Sequence, residues 1–206
     1  MATWKNALIV SAAAVSLGTL GVAAAQPAGA VAVPAKQESV KCLGLTATIV
    51  SNGGLVRGTS GRDIIVLRGS GQVLAGAGDD VVCGSAAADT IDAGAGNDRV
   101  DGGGGNDRIA GGAGDDNISA GAGNDSVTGD LGRDTISGEN GDDSLSGGAG
   151  DDSLSGGAGD DSINGDAGDD SISGGSGRNR LSGGSGRDRV NGVLDDDRGG
   201  AEGAHH

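Results

Sequence analysis

Between residues 93 and 191 the chain repeats one nine-residue pattern, with a single aliphatic side chain per period. The aliphatic positions are Val100, Ile109, Ile118, Val127, Ile136, Leu145, Leu154, Ile163, Ile172, Leu181 and Val190. Their flanking residues are mostly Ser, Asn, Thr, Arg or Asp, so each aliphatic sits inside a polar–apolar–polar triplet. That alternation fits a three-residue strand with one side chain inward and two outward. The other six positions read Gly-Gly-x-Gly-x-Asp, which is turn chemistry: Gly accepts positive φ, and Asp suits tight turns. Eleven copies follow one another without a break, and an uninterrupted period of this length signals a solenoid.

Six-residue turns alternating with short strands predict an all-β fold: a parallel β-roll, or β-solenoid, with two repeats per turn and two facing sheets. Each unit then stacks on the unit two places away, about 4.8 Å along the axis. The aliphatics form two ladders that meet in a thin core. The acidic positions fall into two edge rows. Asp98, Asp116, Asp134, Asp152, Asp170 and Asp188 line one edge. Asp107, Asp125, Asp143 and Asp161 line the other, with Asn179 the exception.

The pattern weakens towards the N-terminus. Gly58–Val66 keeps Asp63 and Ile65. Leu67–Leu74 is one residue short and reads with Gln72 in place of Asp. Ala75–Cys83 is good, with Asp80, and Gly84–Asp92 keeps Asp89 but has Ala87 where Gly belongs. Leu45–Val50 is β-prone and is expected to begin the ordered domain as a cap, since terminal units of a solenoid must close an open core. The expected divisions are a signal peptide at 1–25, a linker at 26–41, an N-terminal cap at 42–57, the repeat roll at 58–194 and a polar tail at 195–206. Within the first of these, Lys5, the apolar run Ala7–Leu20 and the small residues Ala23–Ala25 make a secretory leader, which predicts a secreted, extracellular protein with no membrane span after cleavage.

Composition narrows the chemistry. Of 206 residues 46 are Gly, and the formal net charge is −15. This acidity disfavours nucleic acid and anionic membranes and favours cations. Trp4 is the one aromatic residue, so no aromatic packing is available to a core. One aliphatic per nine ordered residues is too little burial to offset the entropy of ordering them, and stacked carboxylates repel. A cation along the edges resolves both problems. Calcium suits carboxylates and turn carbonyls in flexible geometry, Mg²⁺ fits less well, and no His or Cys recurs in the repeat to suggest zinc or copper. The candidate metal ligands are Asp80, Asp98, Asp107, Asp116, Asp125, Asp134, Asp143, Asp152, Asp161, Asp170 and Asp188, with several Ca²⁺ ions per chain. An enzyme is not expected: the histidines are His205 and His206 at the C-terminus, and neither a metalloprotease helix motif nor a nucleophile elbow is present. An even cysteine count in a secreted chain predicts a Cys42–Cys83 disulfide.

The consensus Gly-Gly-x-Gly-x-Asp-x-aliphatic-x resembles the haemolysin-type calcium-binding, or RTX, nonapeptide repeat over roughly residues 58–191. The resemblance implies a parallel β-roll with Ca²⁺ held between loops two repeats apart by the position-six carboxylates and backbone carbonyls. Several positions depart from the family pattern. Asn179 predicts a weaker site, and Arg133, Arg178 and Arg187 lower the local negative charge. Asp130, Glu139 and Asp166 replace the second Gly and predict loops of different shape. The leader is N-terminal, whereas family members are often exported through a C-terminal signal. The function expected is a secreted, non-enzymatic calcium-binding module whose folding is coupled to the ion, structural or cell-surface in role. A calcium-dependent adhesion or surface-recognition module, with a cell-surface or polysaccharide partner, is the alternative.

Overall fold

A computed structural model describes residues 40–191 and 193–196. The leader, most of the linker and the last ten residues fall outside the described residues. Every described element is a strand. A two-stranded antiparallel hairpin, β1 (Lys41–Cys42) and β2 (Leu45–Thr46), comes first. The chain then alternates between two sheets. The ten-stranded sheet contains β3 (Ile49–Ser51), β5 (Ile64–Leu67), β7 (Val81–Cys83), β9 (Arg99–Asp101), β11 (Asn117–Ala122), β13 (Thr135–Asn140), β15 (Ser153–Ala158), β17 (Ser171–Ser176), β19 (Arg187–Val190) and β20 (Val193–Asp196). The eight-stranded sheet contains β4 (Gly54–Arg57), β6 (Gly71–Ala77), β8 (Thr90–Ala95), β10 (Arg108–Ala113), β12 (Ser126–Leu131), β14 (Ser144–Ala149), β16 (Ser162–Ala167) and β18 (Arg180–Ser182).

Pairing is parallel throughout both sheets, apart from β20, which turns back antiparallel on β19. In the regular region partners lie two repeats apart: Leu145 faces Ile163, and Ile136 faces Leu154. The expected β-roll is therefore present, with its two-repeat turn. The aliphatic residues of both sheets form one continuous core cluster from Val56 to Ile172, joined at its ends by Ile49, Leu181 and Val190.

Three details depart from expectation. The strands of the regular region are six residues long, not three, running from unit position seven through position three of the next unit. Their pairing skips unit position one: Ser146 faces Asn164 and Gly148 faces Asp166, with Gly147 between them unpaired. The coil also begins earlier than residue 58, because Ile49 already pairs with Ile65 and Val56 with Val73. Finally, Gln72 aligns with Thr90, so Gly71 rather than Gln72 stands in the acidic position of the short unit.

The hairpin explains why the first units carry apolar residues at outward positions. Cys42, Val66 and Val81 are buried together, with Val40, Leu45, Ala47, Ile64 and Cys83 against them. The expected disulfide joins Cys42 to Cys83, with Cα atoms 5.7 Å apart. It closes a segment of 41 residues, which in the chain-entropy account is worth roughly 4 kcal/mol.

Candidate metal-binding edges

Every acidic residue expected to hold metal is buried, from Asp80 to Asp188. The backbone forces this. The turn brings position six to the start of the next strand, where its side chain points along the edge towards the neighbouring coil. There it does two things. Its Oδ1 accepts the backbone N–H of the position-six residue two units earlier. On one edge this gives an unbroken series: Asp63 donates to Asp80, Asp80 to Asp98, Asp98 to Asp116, Asp116 to Asp134, Asp134 to Asp152, Asp152 to Asp170 and Asp170 to Asp188. On the other edge Gly71 donates to Asp89, and the series runs on through Asp107, Asp125, Asp143 and Asp161 to Asn179.

The other carboxylate oxygen is left over. Oδ2 of Asp80, Asp98, Asp107, Asp116, Asp125, Asp134, Asp143, Asp152, Asp161 and Asp170 is buried and has no hydrogen-bond partner. Ten orphaned carboxylate oxygens in two rows are far outside what a folded protein tolerates without a counter-charge. Burial pushes the carboxyls of Asp98, Asp107, Asp116, Asp143 and Asp152 up, against the pull of the accepted N–H, with neighbouring carboxylates adding to the rise. Asp107 and Asp116 are pushed to about 7, and Asp98, Asp143 and Asp152 to about 6.

Beside seven of the ten orphans position one is glycine, and beside Asp80, Asp98 and Asp125 it is the buried Ala75, Ala93 and Ala120. A methyl group on Gly147 would lie 2.3 Å from Asp152 Oδ2 and 2.7 Å from the Gly165 carbonyl oxygen. Carboxylate and carbonyl oxygens thus border one small space, a donor set that suits a hard cation such as Ca²⁺. Among the described residues no three His, Cys, Asp or Glu side chains converge. An ion held here must therefore draw much of its coordination from backbone carbonyls, as the glycine-rich turn allows.

A second ladder, not anticipated from the sequence, runs along the same edges in the opposite sense. At position five the side chain accepts the backbone N–H of the unit two places later. Asp79 accepts from Asn97, Asn97 from Asp115 and Asp115 from Arg133; on the other edge Asn106 accepts from Asn124, Asn124 from Asp142 and Asp142 from Asp160. Asn and Asp are interchangeable here because both offer Oδ1, which is the physical basis of their alternation in the sequence. Arg133 and Arg178, instead of only diluting charge, pair with Asp115 and Asp160 at 2.8 and 2.9 Å.

Two other departures resolve in opposite ways. Asp130, Glu139 and Asp166 adopt φ of 73–74° at the second unit position and keep the ladder register, so those loops retain the common shape. Asn179 accepts the Asp161 N–H through Oδ1, which turns its Nδ2 towards the place where the other units present Oδ2. A donor there cannot ligate a cation.

Asp63 and Asp89 also differ. Asp63 Oδ2 accepts the Thr59 N–H at 2.7 Å and its hydroxyl at 2.9 Å; Asp89 Oδ2 accepts the Ser85 N–H at 2.7 Å and its hydroxyl at 3.0 Å. The sequence signal for these two was a hydroxyl residue at the second unit position, where Gly, Asp or Glu stands elsewhere.

No curated protein matches the chain significantly. The profile described as the RTX calcium-binding nonapeptide repeat matches four times, at residues 74–109, 101–136, 137–172 and 164–198, which together span more than half of the sequence. With the parallel two-sheet coil and the two carboxylate rows described above, the chain belongs to the RTX calcium-binding nonapeptide repeat family.

Proposed function

We propose that this is a secreted, non-enzymatic calcium-binding repeat protein whose folding is coupled to Ca²⁺, serving a structural or cell-surface role. The observation that carries the reading is the ten buried Oδ2 atoms without a partner. Their charge opposes folding of the metal-free chain, and bound cations convert that opposition into stabilisation. Asp80, Asp98, Asp107, Asp116, Asp125, Asp134, Asp143, Asp152, Asp161 and Asp170 would hold the ions, with Asp188 closing one row. Calcium bound there supplies positive charge and oxygen coordination between coils. The chain itself supplies the carboxylates, the glycine-lined space and the carbonyls. Because unfolded chain lacks the array, binding free energy appears as folding free energy.

The leader at 1–25 supports export, and calcium at extracellular concentration then drives folding outside the cell. Far-ultraviolet circular dichroism during a calcium titration tests the reading. A sharp gain of β signal with calcium, and little with magnesium at equal concentration, is expected. A full β spectrum in excess chelator would overturn it.

A second reading, adhesion or surface recognition, draws on the outward hydroxyls of both faces. Ser126, Ser144 and Ser162 stand in register on one sheet, and Thr135, Ser153 and Ser171 on the other. Calcium-dependent retention on cells or polysaccharides distinguishes it from a passive structural role.

A further inference from the structure

Thr59 and Ser85 occupy equivalent places at the two edges. Thr59 belongs to the loop of Asp63, which begins one carboxylate row, and Ser85 to the loop of Asp89, which begins the other. Both loops have the same construction. The hydroxyl oxygen also accepts the N–H of the residue two places on, Gly61 or Ala87, and its one proton serves either Oδ2 or that residue's carbonyl. Neither Thr59, Gly61, Ser85 nor Ala87 has positive φ, whereas the second and fourth positions of the regular units do, as at Gly148 and Gly150. The carboxylate sits differently from that of most regular units. Oδ2 lies 2.9 Å from the point a methyl on Gly58 would occupy and 3.1 Å from that on Gly84, against 2.8 Å at Gly102 and 2.1–2.4 Å at Gly111, Gly129, Gly138, Gly147, Gly156 and Gly165. Two N–H and O–H donors have replaced whatever must satisfy the orphaned oxygen elsewhere.

We propose that Thr59 and Ser85 exclude calcium from the first loop of each row, so that the first coils, residues 58–92, fold without metal and template the calcium-dependent remainder. The inference rests on the calcium reading above. Three features act together in this segment. Two of its three row carboxylates, Asp63 and Asp89, are satisfied by the chain's own donors, which leaves Asp80 as the one orphaned carboxylate of the segment. The outer apolar cluster around Val66 and Val81 adds burial that the regular coils lack. The Cys42–Cys83 disulfide shortens the search. Cations then need only extend a preformed end, one coil at a time, as in any quasi-one-dimensional fold.

Hydrogen exchange of the oxidised full-length chain tests this. In excess chelator, amides over 64–83 should exchange at least tenfold more slowly than unstructured chain, while those over 126–176 exchange as unstructured chain. Calcium should protect both. Fast exchange over 64–83 in chelator overturns this inference and leaves the calcium reading standing; slow exchange over 126–176 in chelator overturns the calcium reading. Thr59→Gly restores the regular Gly-Gly-x-Gly-x-Asp loop and should raise bound calcium, counted by calorimetry, by about one ion per chain. An unchanged count overturns the exclusion. Should that variant not fold, Ser85→Ala removes one hydroxyl alone and should abolish slow exchange over 64–83 in chelator; unchanged protection again overturns the proposal.

Discussion

The backbone N–H of Asp134 donates to Oδ1 of Asp152 at 2.7 Å, and the other oxygen of Asp152 has no partner. One side chain therefore carries two separable tasks, a structural hydrogen bond and a place for a cation. Asp152→Asn should keep the first and lose the second, as Asn179 does naturally. Asp152→Ala should lose both and leave the Asp134 N–H buried and unpaired, at about 1–3 kcal/mol beyond the effect of Asn. Calorimetry should show reduced calcium stoichiometry or affinity in both variants, and denaturation in saturating calcium should separate them. Equal stability of the two would mean that the hydrogen bond contributes nothing.

Asn179→Asp should act in the opposite direction. It restores Oδ2 where Nδ2 now points, while Oδ1 continues to accept from Asp161. The variant should bind calcium more tightly at the C-terminal end. Without calcium it should be no more stable than the parent, because it adds a buried charge. Greater stability in chelator would show that the edge does not need a cation.

The raised carboxyl pKa values predict an acid effect on the metal-free chain. Asp98, Asp107, Asp116, Asp143 and Asp152 have folded values of about 6 to 7, above the unfolded reference of about 3.9. A folded value above the unfolded one means the compact state binds protons more tightly. The stabilisation is fully present below about pH 4 and is lost as pH rises through 6 to 7. In chelator, then, β signal should grow as pH falls from 8 to 5. In calcium the dependence should reverse, since protons compete with the ion for the same oxygens. Circular dichroism at both conditions measures the two slopes.

Gly150 tests the stacking of coils. It has φ of 142°, and a methyl group on it would lie 1.7 Å from the Gly132 carbonyl oxygen of the preceding coil. No side chain can yield there, because the obstacle is backbone. Gly150→Ala should destabilise the calcium-loaded protein by about 3 kcal/mol or more and raise the calcium midpoint for folding. A variant with unchanged midpoint would show that adjacent coils can part locally at no cost.

Removing the disulfide isolates the hairpin. Cys42→Ser should lower stability by about 2–4 kcal/mol and loosen the cover over Val66 and Val81. Faster exchange of the amides of β5 and β7 is the expected readout, with little change at β14 to β17.

Much of this architecture was legible because the two decisive signals repeat. One aliphatic every nine residues fixed which side chains meet in the core, and Ile109, Ile118 and Leu154 lie there. One Asp every nine fixed the edge rows. What escaped notice depends on backbone direction rather than side-chain type. Gly147 faces inward beside Asp152, a role that a residue without a side chain cannot advertise. The position-five ladder depends on an oxygen that Asn and Asp share, so the sequence presented it as noise. The function of Thr59 and Ser85 lay in what they satisfy, which no period records. The misalignment of Gln72 came from a shortened unit whose missing residue only pairing could locate.

That shortened spacing has a further effect. In the middle of the roll one coil is nearly the same as the next, so a strand displaced by a full coil would find equivalent partners: Leu154 would meet an aliphatic and Asp152 a waiting N–H wherever they landed. At the start of the roll this is not so. Ile49 pairs sixteen residues away with Ile65, Ile65 pairs seventeen away with Val82, and only from there does eighteen become the rule. These unequal steps cannot be superimposed on any later coil. They mark an origin from which the identical coils are counted, and a frameshifted roll would have to begin without it.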